Sequence, residues 1–326
     1  VGLPAGLALV IAAPWVAGFF HFDSPHAVWM AGALLPIMLI VPVVAGVLQG
    51  LQAFVWMTVS TQSWVVIRLL VGALLLWMFS ATALTAFFSH ALAQGLGLAI
   101  ALTGLGLLLR GVARDGVAPT GVGHYFLQSM LLLAGYGVLM NSDVMLVRHF
   151  HPDAAGYFAQ AATIGRSVIF LPMPIALALF PKVISSGASS PASRQTLGRA
   201  LAMALLLIGS AVAVVWLVPW LPLRILYGVR EPSAELMQLV RWVCLAMSPL
   251  GLTYLLLHFE MAQHRFTAVP WLLACAGGYL GGVVLWHASV TSIVVALGSA
   301  ALASALLFVL QLLRHRPPHG GGDDQS

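Results

Sequence analysis

The chain has 326 residues, of which 61% are hydrophobic and 7% charged; 14 basic and 9 acidic side chains give a formal net charge of +5. Soluble domains carry about 25% charged residues, and a chain of this size folded in water keeps a broad wetted surface, so a water-facing exterior is excluded. The basic residues are dispersed rather than clustered, which excludes a nucleic-acid groove.

Apolar side chains must therefore face lipid. There, backbone polar groups need internal partners, which leaves helices or a closed barrel. Long apolar runs such as Leu201 to Val218 fit helical spans of roughly 20 residues, not the short alternating strands of a barrel. The expected fold is all-α and polytopic, with about ten transmembrane helices.

In chain order, the first span is expected over Pro4 to Phe20 and the second over Ala27 to Gln49. The third runs over Ser63 to Thr85, entered through the polar stretch Thr58 to Ser63, and the fourth over Phe87 to Leu109. Arg110 to Gly123 follows, with two arginines, an aspartate, a proline and four glycines. This is the clearest composition break and the expected linker. It separates a region 1–109 with four helices from a region 124–313 with six. The fifth span is expected over His124 to Val147 and the sixth, rich in proline, over Gly156 to Ile184. The seventh runs over Leu197 to Trp220, and Leu221 to Glu235 is amphipathic or irregular. The eighth covers Leu236 to Phe259, the ninth Ala268 to Trp286 and the tenth Ser292 to Leu313. The tail 314–326 has no apolar run and is expected to be disordered.

With both ends in the cytoplasm, Arg110, Arg114, Lys182, Arg194, Arg199, Arg265, Arg314 and Arg316 fall on that side. Arg148, Arg224 and Arg230 fall on the other. This is the asymmetry of the positive-inside rule. An internal echo joins the two halves. Leu48 to Phe54 after the second span matches Glu260 to Phe266 after the eighth, with offsets between 209 and 213 when Pro36/Pro249 and Trp77/Trp286 are included. Repeated lobes are a common transporter plan.

Ionisable residues inside spans are costly and face a cavity or a partner. Arg166, Arg68, Arg241 and Asp143 are the candidates. The arginines read either as an internal cationic lining for an anionic cargo, or as snorkelling side chains and an ion pair. Asp143 reads either as a polar lining residue, proton or cation site, or as a partner of Arg148 or Arg166. Gly277-Gly278 and Gly281-Gly282 place small residues four apart on the ninth span, a pattern for close helix contact. Cys244 and Cys275 read as small core residues rather than a disulfide. His149 and His151 have no third metal ligand that the sequence identifies, and there is no HExxH, GxxxxGK[ST] or GxSxG pattern. No metal, cofactor or enzymatic activity is expected.

Several segments resemble the polysaccharide (O-antigen type) flippases of the multidrug/oligosaccharidyl-lipid/polysaccharide exporter superfamily. They are Asn141-Ser142-Asp143 to Val147, Asp153 to Ala159, Phe170-Leu171-Pro172, Leu179 to Val183, and Leu48 to Phe54 with Arg68. The resemblance implies a two-lobe exporter fold with both ends cytoplasmic, in a bacterial inner membrane. It implies that a polyprenyl-diphosphate-linked oligosaccharide is moved across the bilayer by alternating access, coupled to a proton or sodium gradient. The spans would correspond to family helices three to twelve, so the first lobe would be incomplete. Arg166, and after it Arg68 and Arg241, would meet the diphosphate. Expected partners are the lipid-linked anionic glycan, membrane lipids and the polymerase or assembly proteins of polysaccharide synthesis, with no nucleic acid. Two other readings stay open: an exporter of cationic drugs or toxins from the same superfamily, and a non-transporting membrane scaffold for polysaccharide assembly.

Overall fold

A computed structural model describes residues 2–22, 24–79, 82–110, 122–176, 178 and 191–314. Among these residues all regular structure is helical. Eight of the helices are long and apolar enough to cross a bilayer, and a ninth, of 17 residues, is shorter but equally apolar. The chain is an all-α polytopic membrane protein. It divides into two compact units, Val1–Ala118 and Pro119–Ser326. The division falls in the break expected at 110–123, of which 111–121 lie outside the described residues. The far part of the expected sixth span (179–184), most of the Ser-rich loop after it and the tail 315–326 also lie outside them.

The first unit holds α1 (Gly2–Phe19), α2 (His26–Gly50), α3 (Phe54–Met78) and α4 (Ala83–Leu108). α1 packs on α2, and α4 packs on both α2 and α3. The interior is small: Ala13, Ala17 and Val28 form one cluster, and Val44, Leu48 and Ala101 another. α3 buries only Ser60 and exposes Val55, Val66, Leu69, Leu70 and Trp77. A close approach of backbone to backbone follows from a proline. Pro36 has no N–H to give the carbonyl of Gly32, and that oxygen faces α1, where a Cβ on Gly6 would stand 2.6 Å from it.

α3 begins nine residues before the expected third span. The polar stretch read as the entry to that span is already helix, and three of its hydroxyls turn back on carbonyls of the preceding turn. Ser60 Oγ and Thr61 Oγ1 donate to Met57 O at 2.9 and 2.8 Å, and Ser63 Oγ donates to Ser60 O at 3.1 Å. Such bonds satisfy the side chains without leaving the helix.

The second unit holds α5 (Val122–Phe150), a single 3₁₀ turn (Pro152–Ala154), α6 (Ala155–Phe170), α7 (Pro191–Leu217), α8 (Trp220–Tyr227), α9 (Ala234–Ala262), α10 (Val269–Leu285) and α11 (Val290–Arg314). α9 is the central helix and packs on α6, α7 and α11, while α5 packs mainly on α10. One continuous core runs through the unit, built from Phe158, Ile164, Val243, Met247, Leu250, Tyr279 and Leu297 among others. Gly165 lets α6 sit close against α9: a Cβ there would stand 2.8 Å from Met247 Sδ. Pro249 denies a donor to the carbonyl of Leu245, and Ser248 Oγ donates to that oxygen instead, at 2.8 Å.

Two expectations are corrected here. The sixth span is not one uninterrupted helix, since α6 ends at Phe170 and Leu171-Pro172 forms a turn. Pro172 lacks the N–H that would continue the ladder. The glycines of the ninth span make no close helix contact either. Nothing among the described residues lies within 4 Å of a Cβ built on Gly277, Gly278, Gly281 or Gly282. The internal echo has a backbone counterpart. α2 ends with Gln52 at φ 55 and α9 with His264 at φ 55, 212 positions apart. In each, the next N–H reaches back five residues, from Ala53 to Leu48 O and from Arg265 to Glu260 O. His21 closes α1 in the same way, so the motif is a shared helix stop and not peculiar to the echo.

Candidate functional site

The buried face of α5 carries Leu132, Tyr136, Leu139, Asp143 and Val147 at helical spacing. Asp143 thus stands in an otherwise apolar and aromatic stripe and is fully buried. Its partner comes from α6. Arg166 Nη2 donates to Asp143 Oδ1, and Arg166 Nε donates to Met140 O at 3.0 Å. Asp143 lies about 10 Å along the axis from the end of α5, and Arg166 about 17 Å from the start of α6 and about 6 Å from its end at Phe170, at 1.5 Å per residue. Asp143 is therefore inside the α5 span, and Arg166 reaches it from the last turn of α6. Arg166 retains 18% exposure while Asp143 has none, so the cation has the accessible edge.

Two polar atoms at the pair have no hydrogen-bond partner among the described residues: Asp143 Oδ2 and the hydroxyl of Tyr279. Tyr279, on α10, is 2% exposed and close enough for the charges of both Asp143 and Arg166 to act on it. Buried polar atoms are rarely left without a partner, so this is one of the places where the unit has spare hydrogen-bonding capacity. Sequence reasoning missed Tyr279. The available signal was a lone tyrosine among the four glycines of an apolar helix.

Of the two sequence readings of Asp143, pairing with Arg166 is the one the structure adopts. The other candidates stand elsewhere. Arg241, on α9, donates from Nε to Trp216 O at 3.0 Å. It thereby serves a carbonyl in the last turn of α7, which that helix's own ladder leaves free; it is not brought to Arg166. Arg68 is exposed on α3, in the first unit, and lines an open groove of about 470 Å³ between α3 and α4. Its companions there are mostly apolar, including Val65, Leu69 and Leu76, with Thr85 and Ser89 as polar members. Arg68 thus belongs to the first unit, and Arg166 and Arg241 to the second.

The second unit has a larger recess away from the ion pair. A cavity of about 890 Å³ opens where α6, α9 and α11 begin, lined by Tyr157, Gln160, Glu231, Glu235, Gln238 and Trp242 among others. Arg166 does not line it. Trp242 is oriented by an edge-to-face contact with Trp216, with ring centroids 5.6 Å apart.

No family model, curated protein or solved structure matches this chain.

Proposed function

We propose that the protein moves a polyprenyl-diphosphate-linked oligosaccharide across a bacterial inner membrane, both ends of the chain facing the cytoplasm, by alternating access between its two units. The reading is supported by one observation above the rest: an arginine paired with a fully buried aspartate of a membrane-spanning helix and still partly accessible. Carrying a diphosphate through hydrocarbon is opposed by a large desolvation cost. An arginine held beside that aspartate lowers it through charge-assisted bonds to phosphate oxygens. Asp143 keeps Arg166 charged and oriented until the anion arrives.

The pairing also favours a second reading, in which the two charges pin α5 to α6 in a membrane scaffold that transports nothing. The two readings part in a strain lacking its flippase. Under the transport reading the parent chain restores surface polysaccharide and the Asp143→Arg/Arg166→Asp variant does not, because the cation has moved to the fully buried position. Under the scaffold reading neither the parent chain nor the variant restores it. Arg166→Ala at normal membrane abundance should also fail to complement, and full complementation by it would rule out a role for Arg166 in transport.

A further inference from the structure

The recess at the start of α6, α9 and α11 is unassigned by the transport reading, which uses Asp143 and Arg166 only. We infer that it is a carbohydrate-binding groove, taking the sugar rings of a hydroxyl-rich, uncharged oligosaccharide. Its volume of about 890 Å³ lies within the roughly 300–1,000 Å³ of small-molecule sites and has room for more than one sugar ring.

The lining selects the guest. Among the described residues no lysine or arginine lines the groove, which argues against an anion. Glu231 and Glu235 do not make it a cation trap, because three helices point their first turns at it. Ala154, Ser233 and Val290, at the starts of α6, α9 and α11, all line the recess. Each helix N-terminus carries about half a positive charge, and Glu235 sits in the first turn of α9, where it offsets that charge. What is left is a nearly balanced pocket rich in hydrogen-bonding oxygens. Carboxylates accept only, while glutamine both accepts and donates. Gln160 presents a buried amide oxygen that takes no hydrogen bond among the described residues. A sugar offers hydroxyl donors at its edge and an apolar C–H face. The exposed rings of Tyr157 and Trp242 supply flat apolar surface for that face.

The residues form continuous faces. Tyr157 and Gln160 are one turn apart on α6, and Glu235, Gln238 and Trp242 follow at helical spacing on α9. The groove lies at the end of the unit that also bears Arg148 and Arg230. In the orientation proposed above, that is the non-cytoplasmic end. The inference rests on the proposed function for the source of the sugar, a lipid-linked or a released glycan, but not for the chemistry of the groove.

The test uses the full chain in lipid nanodiscs, with tryptophan fluorescence and calorimetry as readouts. The probes are a panel of free neutral tri- and tetrasaccharides, undecaprenyl diphosphate without sugar, and tetraethylammonium. The expected result is binding of at least one oligosaccharide, weakened at least about tenfold by Trp242→Ala, since losing a ring contact and its burial together exceeds about 1.4 kcal/mol. Gln160→Ala should weaken it as well. Undecaprenyl diphosphate should bind as before to both variants and lose affinity only in Arg166→Gln. Thermal melts matching the parent chain exclude misfolding, and Gln160→Ala stands as the milder variant if Trp242→Ala melts early.

Failure of every oligosaccharide to bind overturns the inference, as does binding that neither variant weakens. Tetraethylammonium binding that Glu231→Gln abolishes, with no sugar bound, overturns it in favour of an organic-cation site. Sugar binding with no binding of undecaprenyl diphosphate leaves the groove standing and removes the flippase reading. The reverse result removes the groove alone.

Discussion

Asp143 has the least freedom of any charged residue described in the second unit. It is fully buried, Arg166 supplies its ion pair, and its second oxygen has no partner among the described residues. Removing one member of a buried pair leaves an uncompensated charge, at a cost of about 3–5 kcal/mol, whereas replacing both by neutral groups is often nearly neutral. Arg166→Met should therefore lower the melting temperature in detergent more than Asp143→Asn/Arg166→Met does. Equal melting temperatures would mean that the pair is loose in solution. The candidate site was legible in the sequence to this extent only: charge inside an apolar span marks Asp143 and Arg166. Their pairing was one of two options there, because α5 also offers Arg148 close by along the chain, and only the packing of α6 on α5 selects between them. Tyr279 and the groove were not legible, since each is made by helices far apart in sequence. The partner of Arg241, a helix-end carbonyl, leaves no trace in a residue pattern.

At the scale of the element, apolar runs located the spans, and the errors have local causes. The polar stretch near the start of α3 reads as an entry to the span because serine and threonine favour turns. Within the helix Ser60, Thr61 and Ser63 instead bond to carbonyls of their own helix. The sixth span looked continuous because apolar composition carries on past Phe170, although Pro172 interrupts the backbone ladder. Small residues at fourfold spacing were a poor guide as well. Among the described residues nothing lies within 4 Å of a Cβ on the four glycines of α10, while the isolated Gly6 faces the backbone of Gly32. This contrast makes a prediction. Gly6→Ala must push α1 from α2, because a backbone oxygen 2.6 Å away cannot step aside, and overpacking of this kind costs about 1–3 kcal/mol. Gly277→Ala should be neutral or stabilising by up to about 1 kcal/mol, since alanine is the better helix former. Melting curves of the two variants in the same detergent check both signs.

Across the whole molecule the two units are built differently. The second has a continuous core running through α5, α6, α7, α9, α10 and α11, while the first has two clusters of three buried residues each. The first unit therefore depends more on the surrounding lipid for its packing. The division near 110–123 was visible as a change in composition, but nothing in the sequence announced this inequality, because burial is decided by partners and not by hydropathy. Cysteine labelling during heating measures it. In a Cys275→Ser background, a thiol introduced by Ser60→Cys, at the buried position of α3, should react at a lower temperature than Cys244 in the core of α9. Exchange into a shorter-chain detergent should widen the gap. Simultaneous labelling would show that both units melt as one.

The pair between α5 and α6 also has an electrical consequence. Asp143 and Arg166 belong to the same unit and their charges sum to zero, so displacing them together through the membrane field requires almost no work. A lone charge carried across would require about 2.3 kcal/mol per 100 mV. Voltage acts on this pair only when something takes one of its members away.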